Sequence, residues 1–576
     1  MVEICCKNTN KKINIAKGTS LFDIFAQNRN IFDNIPICAK VNNRVCSLSY
    51  KVFSSKDIEF LDLTSDSAQR TYARTLFFIL AKAVHDLYPQ GRIRICNAVA
   101  GGYYCDIESP LPTSPQGEGL NPHTASNLAE SALPPVGESE GVAVLRIKQK
   151  MQEIIDANHT VIRHKIHTED AVERFRKLGL ESKVKLLQYT GKIYTTVYEI
   201  DGYYDYYYGS LLPCTSMASL FDLISYHDGM LLRVPSKESN GELEPYTVQT
   251  KVGETFREHH QWNKILGITT IGDFNEAVER GFSTDLINIS EALQEKKIAK
   301  IAEQIAERKD VKIVLLAGPS SSGKTSTCKR LSIQLITCGK KPLQISLDDY
   351  FVDREKTPRQ PNGDYDYESI YSLNLELFNQ QLSELLEGKE VQLPRYNFIK
   401  GKSEMSDKVL KMEENNVLVI EGIHALNPML TSKIDNKHIF RLYASALTSI
   451  LLDEHNYIPT TDNRLLRRIV RDAKTRGCDA RETIRRWPSV REGEHKWIFP
   501  FQENADAVFN SAMLFELAVL KNQAEPMLER VPENCPEYSE AYRLLKFLKY
   551  IPKVPDMNIP PTSLLREFLG GSSFEY

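Results

Sequence analysis

The chain has 576 residues, 42% of them hydrophobic and 26% charged, with a formal net charge of −3. That length exceeds what one hydrophobic core holds and implies about three or four domains. The near balance of charge excludes a global field drawing the chain to nucleic acid or a membrane surface. The eleven cysteines are scattered with no repeated C-x-x-C pair, which fits reduced thiols better than a disulfide framework or zinc site. Met1 to Lys7 lacks a signal-type apolar stretch, and the most lipid-like run, Leu76 to Val84, is too short to span a bilayer and is broken by Lys82. The expectation is a cytoplasmic protein without a membrane partner.

Val2-Glu3-Ile4 and Lys12 to Ile15 alternate like hairpin strands, with further strands predicted over Ile37 to Val41 and Ile58 to Leu61. Thr19 is placed to cap a helix from Leu21 to Gln27. Gly18-Thr19-Ser20-Leu21-Phe22-Asp23 with Ala39-Lys40-Val41-Asn42-Asn43 resembles a TGS domain, a ubiquitin-like β-grasp module. The resemblance implies a binding or regulatory unit over residues 1–62.

Residues 67–250 resemble the second additional (editing) domain of threonyl-tRNA synthetase. Leu80 to Pro89, Gly102 to Asp106, Ile154 to Arg163 and Glu169-Asp170-Ala171 carry the likeness. The resemblance implies a His-x-x-x-His helix, but Arg74 and Phe78 stand at those places, and the family's later Cys and His are replaced near Tyr207 and Leu211. The expectation is an α+β domain that kept its fold and lost its hydrolytic site. The cluster Tyr203, Tyr204, Tyr206, Tyr207 and Tyr208 offers base stacking or, more simply, core packing. Ser109 to Gly141 is rich in small and polar residues with little to bury, and reads as a disordered insertion in which His123 is solvated. A helical connector is predicted over 251–309, with Ile298, Ile301 and Ile305 along one face and His259-His260 at the surface.

The chemistry is concentrated over 310–515. Ile313 to Ala317 reads as a strand, Gly318-Pro319-Ser320-Ser321-Ser322-Gly323-Lys324-Thr325 as a phosphate loop, and Ser326 to Thr337 as the helix that follows. Backbone N–H groups of such a loop converge on one anion. Lys324 adds a mobile charge and the Thr325 hydroxyl suits Mg²⁺. A second strand, Leu343 to Leu347, leads into Asp348-Asp349-Tyr350-Phe351, and a third, Val417 to Ile420, into Glu421. Two acids on two strand ends beside a phosphate loop are what Mg²⁺-dependent phosphoryl transfer requires. Arg464, Arg467, Arg468 and Arg471 then share a helix, with Arg476 beyond it, and read as a closing lid.

The phosphate loop, Ser346 to Phe351, Pro394-Arg395-Tyr396-Asn397-Phe398, Ile420 to Ile423, and Asp462-Asn463-Arg464 through Gly477 appear in the order of the uridine kinase and phosphoribulokinase family, which this stretch resembles. The full arrangement resembles bacterial nucleoside kinases that join TGS and synthetase-like domains to a uridine kinase domain. The resemblance implies ATP and Mg²⁺, with Asp348 as general base for a 5′-hydroxyl and Lys324 and Arg464 as its catalytic partners. It implies Gly318, Ser320, Ser321, Ser322, Gly323, Lys324, Thr325, Ser326, Arg467, Arg471 and Arg476 around ATP. Asp348, Tyr350, Tyr396 and Arg464 fall to the nucleoside, and Thr325 and Glu421 to Mg²⁺. One departure is plain: Asn397 replaces the family's Asp, and glycine in Ile399-Lys400-Gly401-Lys402 stands where a base-contacting histidine is expected.

The predicted architecture is therefore α/β: a P-loop kinase with a doubly wound parallel sheet, preceded by the β-grasp and α+β units and followed by a helical tail over 516–576 that packs on the kinase. Besides a nucleoside kinase of pyrimidine salvage, two readings stay open: phosphorylation of another hydroxyl (an RNA end or a sugar phosphate), and an RNA- or alarmone-binding regulator with weak ATPase activity. An RNA or nucleotide effector at the N-terminal domains and a homo-oligomer are both left open.

Overall fold

A computed structural model describes residues 1–32, 34–108, 140–360, 363–397 and 400–575. The expected insertion, His123 included, lies outside the described residues apart from its last two positions, which open the helix Glu140–Asp156. Phe398 and Ile399 also lie outside them.

The N-terminal strands Val2–Cys6 and Lys11–Ile15 pair antiparallel, and Val2–Cys6 runs parallel to Asp57–Leu61, giving a five-stranded sheet with Cys38–Val41 and Arg44–Cys46. Leu21, Ile24 and Phe25 of the helix Leu21–Gln27 fill its concave face together with Ile4, Val41 and Ile58. The cap is Ser20, whose hydroxyl accepts from the Asp23 N–H at 3.0 Å. Thr19, the expected cap, instead donates to the Ala16 carbonyl one turn earlier.

The next unit is built on the helix Asp66–Leu87, which is buried on nearly all sides from Thr71 to Val84. A four-stranded antiparallel sheet (Asp222–Tyr226, Gly229–Arg233, Gly102–Glu108, Arg92–Val99) and a three-stranded one (Ile162–His167, Tyr194–Ile200, Tyr203–Asp205) flank it. Phe78 packs its ring on Tyr203 and Tyr207, and Arg74 lies over Tyr208 at 5.0 Å. Gly209 makes room for Arg74, since a Cβ there would collide with the guanidinium. Tyr203, Tyr206, Tyr207 and Tyr208 are all buried, so of the tyrosine cluster only Tyr204 keeps a partly open ring.

Connector helices Thr250–Leu266, Ile271–Glu279 and Ser283–Glu307 lead to the kinase region. The last begins earlier than its apolar spacing suggested and lays Ile298, Ile301 and Ile305 into the core. His259 and His260 are not surface histidines: they are half-buried, and burial pushes both imidazoles down to about 4.

Five parallel strands then form one sheet in the order Lys341–Ser346, Asn416–Glu421, Ile313–Ala317, Ile439–Ser445, Ala507–Asn510. Numbered along the chain that order is 2-3-1-4-5, so the chain reverses direction across the sheet at strand 1, which is where such sheets bind ligands. All five residues of Ile313–Ala317 are buried, as a strand covered on both faces demands. The tail helices Glu516–Glu529, Tyr538–Leu548 and Arg566–Leu569 share one apolar core with the connector, the sheet and part of the preceding unit, from Phe175 through Val314 to Phe568. The tail thus packs against more than the kinase sheet. Among the described residues no helix is long and apolar enough to cross a membrane.

Candidate active site

The loop after Ile313–Ala317 is held open from outside. Ser321 and Gly323 take left-handed backbone conformations, φ 59° and 79°, and turn successive carbonyls away from the loop's inner face. Arg464 Nη1 binds the Ser320 carbonyl at 3.1 Å, Arg467 Nη1 the Ser321 carbonyl at 3.4 Å, and the Ser511 hydroxyl the Ser322 carbonyl at 2.5 Å. Gly318 has no room for a side chain, because a Cβ there would run into the Ala444 carbonyl. Lys324 opens the helix Lys324–Thr337 and donates from Nζ to the Pro319 carbonyl at 3.2 Å, lying back across its own loop. Thr325 and Ser326 follow in the first turn.

Two acids meet this loop. Asp348 is exposed in the short turn Leu347–Tyr350 that follows Lys341–Ser346. Glu421 ends Asn416–Glu421, opposite Ser346 in the register, and accepts from the Ser346 hydroxyl at 3.0 Å. Burial, and next the charge of Asp348, pushes the Glu421 carboxyl up to about 7. Burial pushes the Lys324 ammonium down, while Glu421 and Asp348 pull it back up. All three groups therefore feel one another's charge. Two carboxylates on neighbouring strand ends, Glu421 half-buried and Asp348 exposed, suit a hard cation. Among the described residues no group of three or more His, Cys, Asp or Glu surrounds a metal position. A cation here would have few protein ligands and take the rest from water or phosphate oxygens, which fits Mg²⁺ better than a caged ion.

Other expected residues are placed differently. The arginines at 464 and 467 are almost wholly buried behind the loop, where Arg464 grips Glu494 with both nitrogens and Arg467 grips Glu516 at 2.7 and 2.9 Å. They hold the loop's shape and do not face a substrate side or form an exposed lid; the helix that carries them, Thr460–Thr475, is buried along most of its length. Arg468 reaches the inner rim, donating to the Ser320 hydroxyl at 2.8 Å. Arg471 lies beside Asp472 and Glu567, and Arg476 is half-exposed against Asp472 at 3.4 Å. Tyr350 points into the core: its hydroxyl donates to Gln381 Oε1 at 2.8 Å and its ring meets Phe378 edge-on. Tyr396 is buried against Phe351 and beside Tyr367 and Arg354.

Three acids that the motif reading passed over complete the site. Glu494, besides holding Arg464, accepts from the Ser320 N–H at 3.1 Å. Glu368 has a buried oxygen near Arg468, Glu494, Lys324 and Asp348. Glu567 accepts from Ser326. None lies in a local motif; the available signal was that an arginine-rich buried helix needs acids as partners.

A parallel sheet of this order with a phosphate loop at its central strand defines a P-loop kinase. Residues 313–517 match the model of the Phosphoribulokinase / Uridine kinase family, so this segment is similar to the kinase domains of that family, and it is joined to an N-terminal part similar to threonine–tRNA ligases. A uridine kinase of Ligilactobacillus salivarius is 28% identical over 207 residues, 35% of this chain and 87% of that protein. One of Saccharomyces cerevisiae is 30% identical over 203 residues, 34% of this chain and 36% of that protein. A threonine–tRNA ligase of Pelobacter propionicus is 24% identical over 273 residues, 46% of this chain; the match spans only 39% of the ligase. Among solved structures, one described as a possible uridine kinase from Bacillus stearothermophilus is 19% identical with a TM-score of 0.24, covering 35% of this chain and 89% of that one.

Proposed function

We propose that the protein transfers the γ-phosphoryl group of ATP to the 5′-hydroxyl of a nucleoside, a pyrimidine such as uridine by the likeness of its kinase domain. The observation that carries this reading is that Asp348 and Glu421 follow or end the parallel strands Lys341–Ser346 and Asn416–Glu421, beside the strand Ile313–Ala317 that leads into the phosphate loop and Lys324. Asp348, exposed beside the loop, is the group that orients an accepting hydroxyl and takes its proton. Lys324 and the loop amides hold the phosphates, and Arg468 guards the rim at Ser320. Glu421, Thr325 and the Ser346 hydroxyl are the groups that would hold Mg²⁺, which when bound draws charge from the phosphate oxygens.

A second reading, an acceptor that itself carries a phosphate, is favoured by one observation. Where the likeness calls for a base-contacting histidine, Gly401 sits at φ 68° with Arg354 over it, so a Cβ there would fall 2.6 Å from Arg354 Nε. A guanidinium at the acceptor side suits an anion better than a neutral base.

Incubating the full chain with labelled ATP, Mg²⁺ and a panel of nucleosides, sugar phosphates and short RNA separates the two. Product at the 5′ position of uridine or cytidine supports the first reading. Product on sugar phosphates alone, or label on RNA ends, replaces it.

A further inference from the structure

The C-terminal segment lies against the phosphate loop and the first turn of the helix that follows it. Glu567 Oε2 accepts from the Ser326 hydroxyl at 2.7 Å and from the Ser326 backbone N–H at 3.3 Å. Its other oxygen faces Arg471 Nη1 at 3.9 Å. Leu564 rests directly on Gly323: a Cβ at that glycine would fall 2.5 Å from Leu564 Cδ2. On the opposite side Phe568 packs under Arg467, with 5.0 Å from the guanidinium to the ring, and the Leu569 carbonyl accepts from Lys474 Nζ. The segment therefore bridges the start of the phosphate-loop helix and the arginine helix, with Leu564, Leu565 and Phe568 fully buried between them.

A free helix-start N–H, a hydroxyl in its first turn and a nearby guanidinium are the donors that a phosphate oxygen takes up. Here an internal carboxylate takes them. A carboxylate and a polyphosphate are both anions, so they cannot share these donors without strong repulsion.

Resting on the kinase reading above, we propose that residues 563–570 are an autoinhibitory plug: Glu567 occupies a phosphate seat of the loop, and nucleotide binds only when the segment lifts. The helix ahead of the plug, Tyr538–Leu548, gives the lift a handle. Its Tyr538 meets Arg44 of the first unit, and its Lys546 donates to the Tyr208 carbonyl of the second. A ligand that shifts either unit is thereby linked to the phosphate loop.

The test is nucleotide affinity of the full chain and of Glu567→Gln, a near-isosteric change that leaves the apolar anchors in place, with Lys324→Ala as control. The plug predicts that Glu567→Gln binds ATP about tenfold tighter, the full gain available when the seat is open in about a tenth of wild-type molecules. It also predicts that inorganic tripolyphosphate speeds hydrogen exchange at 563–570 in the wild type. Equal or weaker ATP binding by Glu567→Gln, or exchange at 563–570 that is unchanged when the loop is filled, overturns the plug while loss of binding in Lys324→Ala leaves the kinase reading standing. ATP binding that survives Lys324→Ala puts the nucleotide elsewhere and overturns both.

Discussion

Glu368 brings a carboxyl oxygen, Oε2, into the interior with no hydrogen-bond partner among the described residues. Burial is the main reason its carboxyl is pushed up to about 7, and Arg468 only partly offsets it. In the unfolded chain the same group titrates near 4.5. The fold thus binds a proton that the unfolded chain has released between those values, so this contribution is fully present below about pH 4.5 and is lost as pH rises through 7. Glu368→Gln removes the titration while keeping the shape. Its melting temperature is expected to match wild type at pH 5 and exceed it at pH 8, by roughly 1–3 kcal/mol of stability. A gap of the same size at both pH values would contradict this. His424 is the opposite case: burial pushes its imidazole down to about 4, so the fold keeps it neutral. At this scale the sequence was legible where a residue's partners are local. Lys324 follows directly from its loop. The arginines at 464 and 467 were misread because their partners, Glu494 and Glu516, come 30 and 49 residues later; a helical wheel displays four arginines but not which faces will be buried. Tyr350 was misassigned for the same reason, since Gln381 and Phe378 belong to a helix, Leu375–Leu386, that no motif ties to it.

Elements were legible to the degree that their pattern is short-ranged. Strand, loop and helix from Ile313 to Thr337 follow from apolar run, glycines and helical spacing, although the helix starts at Lys324, just after Gly323 in its left-handed conformation. The helix Glu516–Glu529 runs on through Pro526, which sits on its exposed side. The hairpin Leu451–Asp453 with Asn456–Tyr457 had no signal of its own, yet it joins the two halves of the molecule. Its Asp453 and the earlier Asp205 both hold Lys183 of the helix Glu181–Tyr189, at 2.7 and 2.9 Å, and all three side chains are fully buried. His455 adds a contact to Asp205 at 2.7 Å. Lys183→Met keeps the bulk and leaves two carboxylates buried near each other. It is expected to destabilise the protein by roughly 3–5 kcal/mol, seen as a lowered melting temperature. A near-normal melting temperature would mean that the cluster contributes nothing net.

At the scale of the whole molecule, the order of units was legible from their separate resemblances, but their union was not. The shared core from Phe175 to Phe568, and ion pairs such as Arg543 with Asp462 and Glu540, make the tail the common neighbour of the N-terminal units and the kinase sheet. Arg70 of the second unit reaches the same Glu540 at 3.1 Å. Apart from Arg543 with Glu540, such contacts are long-range in sequence and leave no periodicity to read. On the proposed function, this assembly presents a γ-phosphoryl group beside Asp348. The direct measurement is therefore the rate of phosphoryl transfer by Asp348→Asn, with ATP affinity measured on the same preparation. The account predicts turnover reduced by about a hundredfold or more with ATP still bound as in the wild type. Turnover near the wild-type rate would remove Asp348 from the reaction and contradict the account.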